Sequence, residues 1–125
     1  MRAAVQQSLD GPDALTIADL PAPKVGDSQI LIDVKAAAVV FPDLLQTRGL
    51  YQLKPDPPYV PGGVATGTVR HANGPFVVGE RVVAVTGLGA WVAVAAAPVS
   101  NTLRLFPLAP RPAPLPQPRP PADVQ

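Results

Sequence analysis

The stretch Gln29-Ile30-Leu31-Ile32-Asp33-Val34-Lys35-Ala36-Ala37-Ala38 decides the class of fold. Polar residues Asp33 and Lys35 share one face of this stretch. Apolar residues alternate with them on the other face, namely Ile30, Ile32, Val34 and Ala36. A period of two residues is typical of a β-strand with one face in a hydrophobic core. The stretch therefore predicts a half-buried strand, the clearest in the chain.

Short β-rich segments divided by glycine and proline lie on both sides of this strand. Further strands are predicted at residues 2–7, 15–18, 67–71, 81–85 and 90–96. Residues 10–13 and 73–75 combine glycine with proline and predict turns. Residues 42–48 begin with Pro42 and precede Gly49, which favours one or two helical turns. The pattern as a whole predicts a mainly β fold, a partly open barrel with one or two short helices.

Composition and charge exclude several classes of protein. The chain has 125 residues, a formal net charge of +1 and no cysteine. This length suits one domain, and the mixed charges form no basic stripe for nucleic acid. A disulfide, a thiolate nucleophile and a Cys-ligated metal are all excluded.

Because apolar residues make up 47% and aromatic residues 5%, we expect a core chiefly of Val, Ala and Leu. The longest apolar run, residues 90–99, is too short for a membrane helix, so we expect a cytoplasmic protein without a membrane partner.

Proline is concentrated at the C-terminal end, where residues 106–125 hold 8 of the 18 prolines. Proline has no backbone N–H and can extend neither a helix nor a central strand. We therefore place a domain boundary near Leu105, with a folded domain at residues 1–105 and a disordered Pro-rich tail at residues 106–125. The spacing Arg104-x-x-Pro107-x-x-Pro110 fits a ligand of polyproline-binding grooves.

Four phrases, taken in order, resemble the N-terminal GroES-like catalytic domain of the zinc-free quinone oxidoreductases, a branch of the medium-chain dehydrogenases/reductases in the alcohol dehydrogenase superfamily. The phrases are Lys35-Ala36-Ala37-Ala38-Val39-Val40-Phe41-Pro42-Asp43-Leu44-Leu45, Arg48-Gly49-Leu50-Tyr51, Pro58-Tyr59-Val60-Pro61-Gly62-Gly63 and Val78-Gly79-Glu80-Arg81-Val82-Val83-Ala84. The resemblance covers about residues 1–105. It implies a GroES-like barrel and a quinone or enone as the substrate.

The resemblance also indicates which site residues to expect. In zinc-dependent members, a cysteine and a histidine hold the metal at the positions of Val40 and Gly63, which have no ligand atoms. We therefore expect no metal site. Zinc-free relatives often have asparagine at Val40, tyrosine at Leu45 and glutamate at Val64, so this chain departs from their pattern and no catalytic residue is assigned. Candidates for the walls of an apolar quinone pocket are Val40, Phe41, Leu45 and Tyr51.

The expected cofactor is NADPH, which the resemblance implies for full-length members of the family. A dinucleotide needs a strand, a Gly-x-Gly-x-x-Gly turn and a helix N-terminus. Here Gly87-Leu88-Gly89 is followed by Ala90-Trp91-Val92 and is read as a loop between strands. We therefore expect no cofactor on this chain alone, and cofactor-binding residues stay unassigned. The chain is interpreted as the substrate-side domain of an NAD(P)H-dependent quinone or enone oxidoreductase, ending before the nucleotide-binding domain and inactive by itself.

Two other functions fit the same sequence. One is a non-catalytic barrel that binds a partner through its Pro-rich tail. The other is a structural barrel that self-associates through an exposed strand edge. Three single residues carry simpler interpretations: Asp43 as a carboxylate in the first turn of a helix, His71 as a surface residue at a strand end, and Trp91 as a residue packed into the barrel.

Overall fold

A computed structural model describes residues 1–105 of the chain, and the tail predicted at residues 106–125 lies outside the described residues. Seven strands and one α-helix follow one another along these residues. They are β1 (Arg2–Gln6), β2 (Leu15–Asp19), β3 (Gln29–Ala37), α1 (Phe41–Thr47), β4 (Val64–His71), β5 (Arg81–Val85), β6 (Val94–Pro98) and β7 (Thr102–Arg104). Single turns of 3-10 helix occupy Pro12–Ala14 and Val99–Asn101. The predicted mainly β fold is confirmed.

The strands form two antiparallel sheets. β1 and β2 make a hairpin, and the larger sheet has the order β6-β3-β4-β5-β7. β5 contacts β6 although two strands lie between them in the sheet, which shows that the sheet curls into a half-barrel. The hairpin joins this half-barrel through isolated bridges of Ala3 with Val92 and of Gln6 with Tyr59. The predicted partly open barrel is thus confirmed.

The core lies inside the curled sheet. Its buried side chains are Ile30, Ile32, Val69, Phe76, Val82, Ala84 and Ala97. Isoleucine, valine, alanine and one phenylalanine fill this space, whereas none of the buried hydrophobic residues in the described part of the chain is a leucine. Of the three residue types expected in the core, valine and alanine are present, and the expectation of leucine was wrong. Leucines at positions such as Leu50 and Leu103 are exposed instead.

Three other expectations need correction. Ala36 is exposed, not on the core face, because the β3–β4 register shifts between Val34 and Ala36 and turns the end of the strand outward. The strand predicted at residues 90–96 begins only at Val94. β4 begins at Val64 and not at Gly67, and the short edge strand β7 was not predicted.

Gly67 lies where β3 and β4 come closest. It pairs with Val34, next to the register shift. A Cβ atom at Gly67 would run into the carbonyl group of Asp33, and it would also lie 3.0 Å from Cγ2 of Ile32. Only glycine therefore allows the two backbones to pair at this point.

Candidate functional site

Helix α1 follows the strand β3 directly and carries two of the four predicted pocket residues. Its first turn holds Pro42 and Asp43. Proline is tolerated there because the first backbone N–H groups of a helix have no hydrogen-bond partner within the helix. The carboxylate Oδ2 of Asp43 accepts a hydrogen bond from the N–H of Val40 at 2.9 Å, and the N–H of Asp43 donates to the carbonyl of Val40 at 3.0 Å. This is the carboxylate half of a capping box. The interpretation of Asp43 as a first-turn carboxylate agrees with this geometry.

The end of α1 is formed by a glycine turn. Gly49 has φ +68°, a left-handed conformation that favours glycine after a helix. The N–H of Leu50 donates to the carbonyl of Leu45 at 2.9 Å, and the chain then leads to Tyr51. The four predicted pocket residues therefore lie on one continuous segment, from the start of α1 to the loop after it.

The four candidates differ in exposure. Val40 is 48% exposed and Phe41 69% exposed, whereas Leu45 and Tyr51 are half-buried. Other exposed apolar side chains lie on the same segment and on the loop after it. We name these exposed apolar residues the α1 face; they are Val40, Phe41, Leu44, Leu50 and Leu53. An apolar, flat molecule is the kind of ligand that such a surface can contact.

Four polar side chains on α1 and β1 are buried. They are Gln6, Asp43, Gln46 and Thr47. The Nε2 of Gln6 donates to the carbonyls of Gly11 at 2.6 Å and Ser8 at 3.0 Å. Within the described residues, Gln6 Oε1 and the hydroxyl of Tyr59 are buried without a hydrogen-bond partner. An unpaired buried polar group costs free energy of folding, so these two atoms destabilise the fold.

Sequence reasoning missed the buried polar atoms of Gln6 and Tyr59. Their backbones exchange two hydrogen bonds, of 2.8 Å and 3.2 Å, across an isolated bridge. This pairing joins residues far apart in the chain, and neither has a local pattern that would reveal it. The only feature of the sequence that pointed to Tyr59 was its place in residues 58–63, one of the four phrases that resemble the family.

The hydroxyl of Tyr59 has a raised pKa. Burial raises its pKa above the ordinary 10.0, and the nearby negative charge of Asp43 raises the pKa further. The unfolded chain thus releases this proton at a lower pH than the folded chain. Stability from this group is complete below the ordinary pKa and is lost as the pH rises through the higher pKa of the folded state.

We expect this shift to be visible in a Tyr51→Phe variant, in which Tyr59 is the single remaining tyrosine of the two in the chain. Alkaline titration followed by phenolate absorbance should give a midpoint above that of the urea-unfolded chain. Adding Asp43→Asn should lower the midpoint only partly, because burial is the larger cause. Equal midpoints in the folded and unfolded chains would contradict the geometry.

Replacing Asp43 by alanine is expected to destabilise the protein by about 1 kcal/mol, because the N–H of Val40 loses its acceptor at the helix start. Urea unfolding measures the loss, and amide exchange should quicken first in α1. Asp56→Ala is the matched control, since Asp56 is exposed on a loop. Equal losses in the two variants would show that the capping hydrogen bond contributes nothing.

Trp91 is held by one specific hydrogen bond. Its Nε1–H donates to the carbonyl of Ala38 at 3.0 Å, which ties the loop before β6 to the end of β3. The indole ring also occupies the space beside Gly62, where φ is +103° and a Cβ atom would meet the ring. Trp91 is half-buried at this position and not enclosed in the barrel core, so its predicted packing is only partly correct.

The remaining single-residue expectations can be located as well. His71 is the exposed last residue of β4, as predicted. Gly87 and Gly89 lie in the loop between β5 and β6, also as predicted. Val40 immediately precedes α1 and Gly63 immediately precedes β4, and residues 1–105 contain no group of three His, Asp or Glu side chains suited to a metal. No helix in the described part of the chain has the length and hydropathy to cross a membrane.

The comparisons with known proteins agree with this fold. The alcohol dehydrogenase GroES-like domain model matches residues 26–106, and the chain belongs to this family. Its relatives include quinone oxidoreductase-like proteins, so the resemblance expected from the four phrases is confirmed. Quinone oxidoreductase-like protein 2 of Rattus norvegicus is 35% identical over 68% of this chain and 25% of that protein.

Two solved structures show the likeness in three dimensions. A probable oxidoreductase from Mycobacterium abscessus is 42% identical, with a TM-score of 0.80 over 83% of this chain and 34% of its own. The quinone oxidoreductase from Thermus thermophilus, solved also in complex with NADPH, is 31% identical, with a TM-score of 0.74 over 88% of this chain and 34% of its own. The chain thus spans between 25% and 34% of the length of these three relatives.

Proposed function

We propose that this chain supplies the substrate side of an NAD(P)H-dependent quinone or enone oxidoreductase. The observation that carries the proposal is the α1 face, which leaves Val40 and Phe41 exposed directly after β3. The names of the quinone oxidoreductase relatives support a quinone as the substrate class. A cytoplasmic location, where NADPH is supplied, is part of the same proposal.

The pocket residues have distinct roles in this proposal. Phe41, with 69% of its surface exposed, offers a ring on which a flat quinone can stack. Leu45 and Tyr51, both half-buried, form the rest of the wall in this proposal, and the hydroxyl of Tyr51 is the group that we propose donates to a quinone oxygen. The reaction is zinc-free, because Val40 and Gly63 offer no ligand atoms where a Lewis-acid metal is held in zinc-dependent relatives.

Quinone reduction also needs a hydride donor. A nicotinamide supplies the hydride when bound, and the Thermus thermophilus relative was solved in complex with NADPH. Residues 1–105 contain no strand, glycine-rich turn and helix in the order that a dinucleotide requires. In this proposal a dinucleotide-binding fold outside residues 1–105 supplies most of the contacts to the cofactor, and we expect residues 1–105 by themselves to show no turnover.

The proposal is tested by titrating the isotope-labelled chain with 1,4-naphthoquinone and following the amide signals by NMR. Signals of the α1 face and of Tyr51 should shift in a saturable way, and Phe41→Ala should weaken binding by about tenfold, the effect of losing an aromatic contact. Leu103→Ala is the control, because Leu103 is 70% exposed on β7. Absence of saturable shifts at α1 would refute the assignment of the substrate side.

A further inference from the structure

An apolar groove lies beside the loop that follows β3. It is an open groove of about 500 Å³ between the β1–β2 hairpin, the end of β3 and the loop before β6. We name it the Trp91 groove. The lining residues used below are Arg2, Ile17, Lys35, Ala36, Val39 and Trp91. None of the four candidate pocket residues of the α1 segment lines it.

The floor of the groove is apolar and remains open to solvent. Alanine side chains make up much of it, so the backbones approach closely and leave room above them. Ile17 is 63% exposed and Val39 is 77% exposed at its rim. Trp91 forms one wall, and its hydrogen bond to Ala38 fixes the indole in place. The volume falls in the range of sites for small molecules.

The charges at the rim all have one sign. Arg2 and Lys35 line the groove and are exposed, and no acidic residue lines it. Within the described residues, neither cation is paired with a carboxylate. Two carboxylates lie close to these cations in the sheets, and each is paired with another cation. Asp19, opposite Arg2 in the register of β1 and β2, pairs with the N-terminal ammonium at 2.8 Å, and Asp33 on β3 pairs with Arg70 at 3.5 Å. An anion at the rim therefore meets two cations that make no salt bridge of their own within the described residues.

We propose that the Trp91 groove binds small amphipathic anions, with an aliphatic chain on the alanine floor against Trp91 and a carboxylate or sulfonate between Arg2 and Lys35. Burial of the chain removes apolar surface from water, including that of Ile17 and Val39. The two cations fix the orientation of the ligand through charge-assisted hydrogen bonds. This site is separate from the α1 face and does not depend on the proposed quinone reaction.

The test uses decanoate, below its critical micelle concentration, with the full chain. Because Trp91 is the single tryptophan, its emission should shift to the blue in a saturable way as the chain excludes water. Decyltrimethylammonium has a similar alkyl chain with the opposite charge and should bind far more weakly, and butyrate is the control for chain length. Added salt should weaken the binding of decanoate.

Substitutions locate the head group. Arg2→Ala and Lys35→Ala should each weaken decanoate binding about threefold, and the double variant about tenfold. Lys24→Ala, an exposed cation outside the groove, should leave the affinity unchanged. Ala36→Leu should block binding by filling the floor, and its exposed position makes the larger side chain compatible with folding.

Clear outcomes would overturn the proposal. These are no saturable shift of Trp91 emission with decanoate, equal binding of the cationic detergent, or an unchanged affinity in the double variant. NMR shifts of the unsubstituted chain give a check that needs no variant: decanoate should perturb amides around Val39 and Trp91 and not those around Tyr51. Failure of this test leaves the quinone titration at α1 unaffected, and the reverse also holds.

Discussion

Replacing Gly67 by alanine is expected to lower the free energy of unfolding by more than about 3 kcal/mol, the upper part of the range for single substitutions. The added Cβ would run into the backbone carbonyl of Asp33, and a backbone atom cannot move aside as a flexible side chain can. Relief would require β3 and β4 to separate in the middle of the sheet. Urea unfolding followed by circular dichroism measures the effect.

Gly63→Ala is the matched control for this prediction. At Gly63 the nearest atom to an added Cβ is the carbonyl oxygen of Gly87, at an ordinary 3.8 Å. Its φ also lies outside the left-handed region. The control should therefore unfold at nearly the same urea concentration as the unsubstituted chain. A Gly67→Ala variant as stable as the control would show that the two strands are not in close contact.

The second large effect is expected in the core. Ile32 is fully buried at 0% exposure, between β4 and β6 in the centre of the half-barrel. Its replacement by alanine should cost about 2–5 kcal/mol through lost burial and a residual cavity. The small neighbouring side chains, such as Ala84 and Ala97, cannot extend to fill the space, which favours the upper part of this range. The midpoint of urea unfolding measures the loss.

Ile17→Ala removes the same atoms from another strand and serves as the comparison. Ile17 is 63% exposed on β2, so little buried surface is lost there. A change of less than about 0.5 kcal/mol is expected, as for surface substitutions in general. If both isoleucine variants lost similar stability, the hydrophobic core would lie elsewhere than inside the curled sheet.

Much of the fold follows from local sequence pattern. The alternation at residues 29–38 identifies β3, and the proline and glycine around residues 42–49 delimit α1. The errors occur where tertiary pairing decides. Ala93 looks like part of a strand, but its N–H donates to Arg2, and it accepts from Val34, so residues 90–93 join the hairpin to the larger sheet before β6 begins. Small alanine side chains carry no periodic signal of such a change of partner.

The candidate site was predictable only in part. The four pocket residues could be chosen because they lie on one segment that resembles a known family. The buried polar atoms of Gln6 and Tyr59 could not be predicted, because they depend on the pairing of these two residues across a long sequence separation. The Trp91 groove could not be predicted for the same reason. Arg2, Lys35 and Trp91 come from three distant segments, and only the attachment of the hairpin to the half-barrel brings them together.

The hydrogen bond between Trp91 and Ala38 has a consequence for communication across the molecule. Ala38 immediately precedes Val39, at the rim of the groove, and Val40, on the α1 face. A ligand that moved the loop after β3 would strain the bond to the indole. If a ligand of the groove and a ligand of the α1 face preferred different positions of this loop, each would weaken the binding of the other by the same factor, as thermodynamic linkage requires. Titrating one ligand in the presence of the other measures this factor.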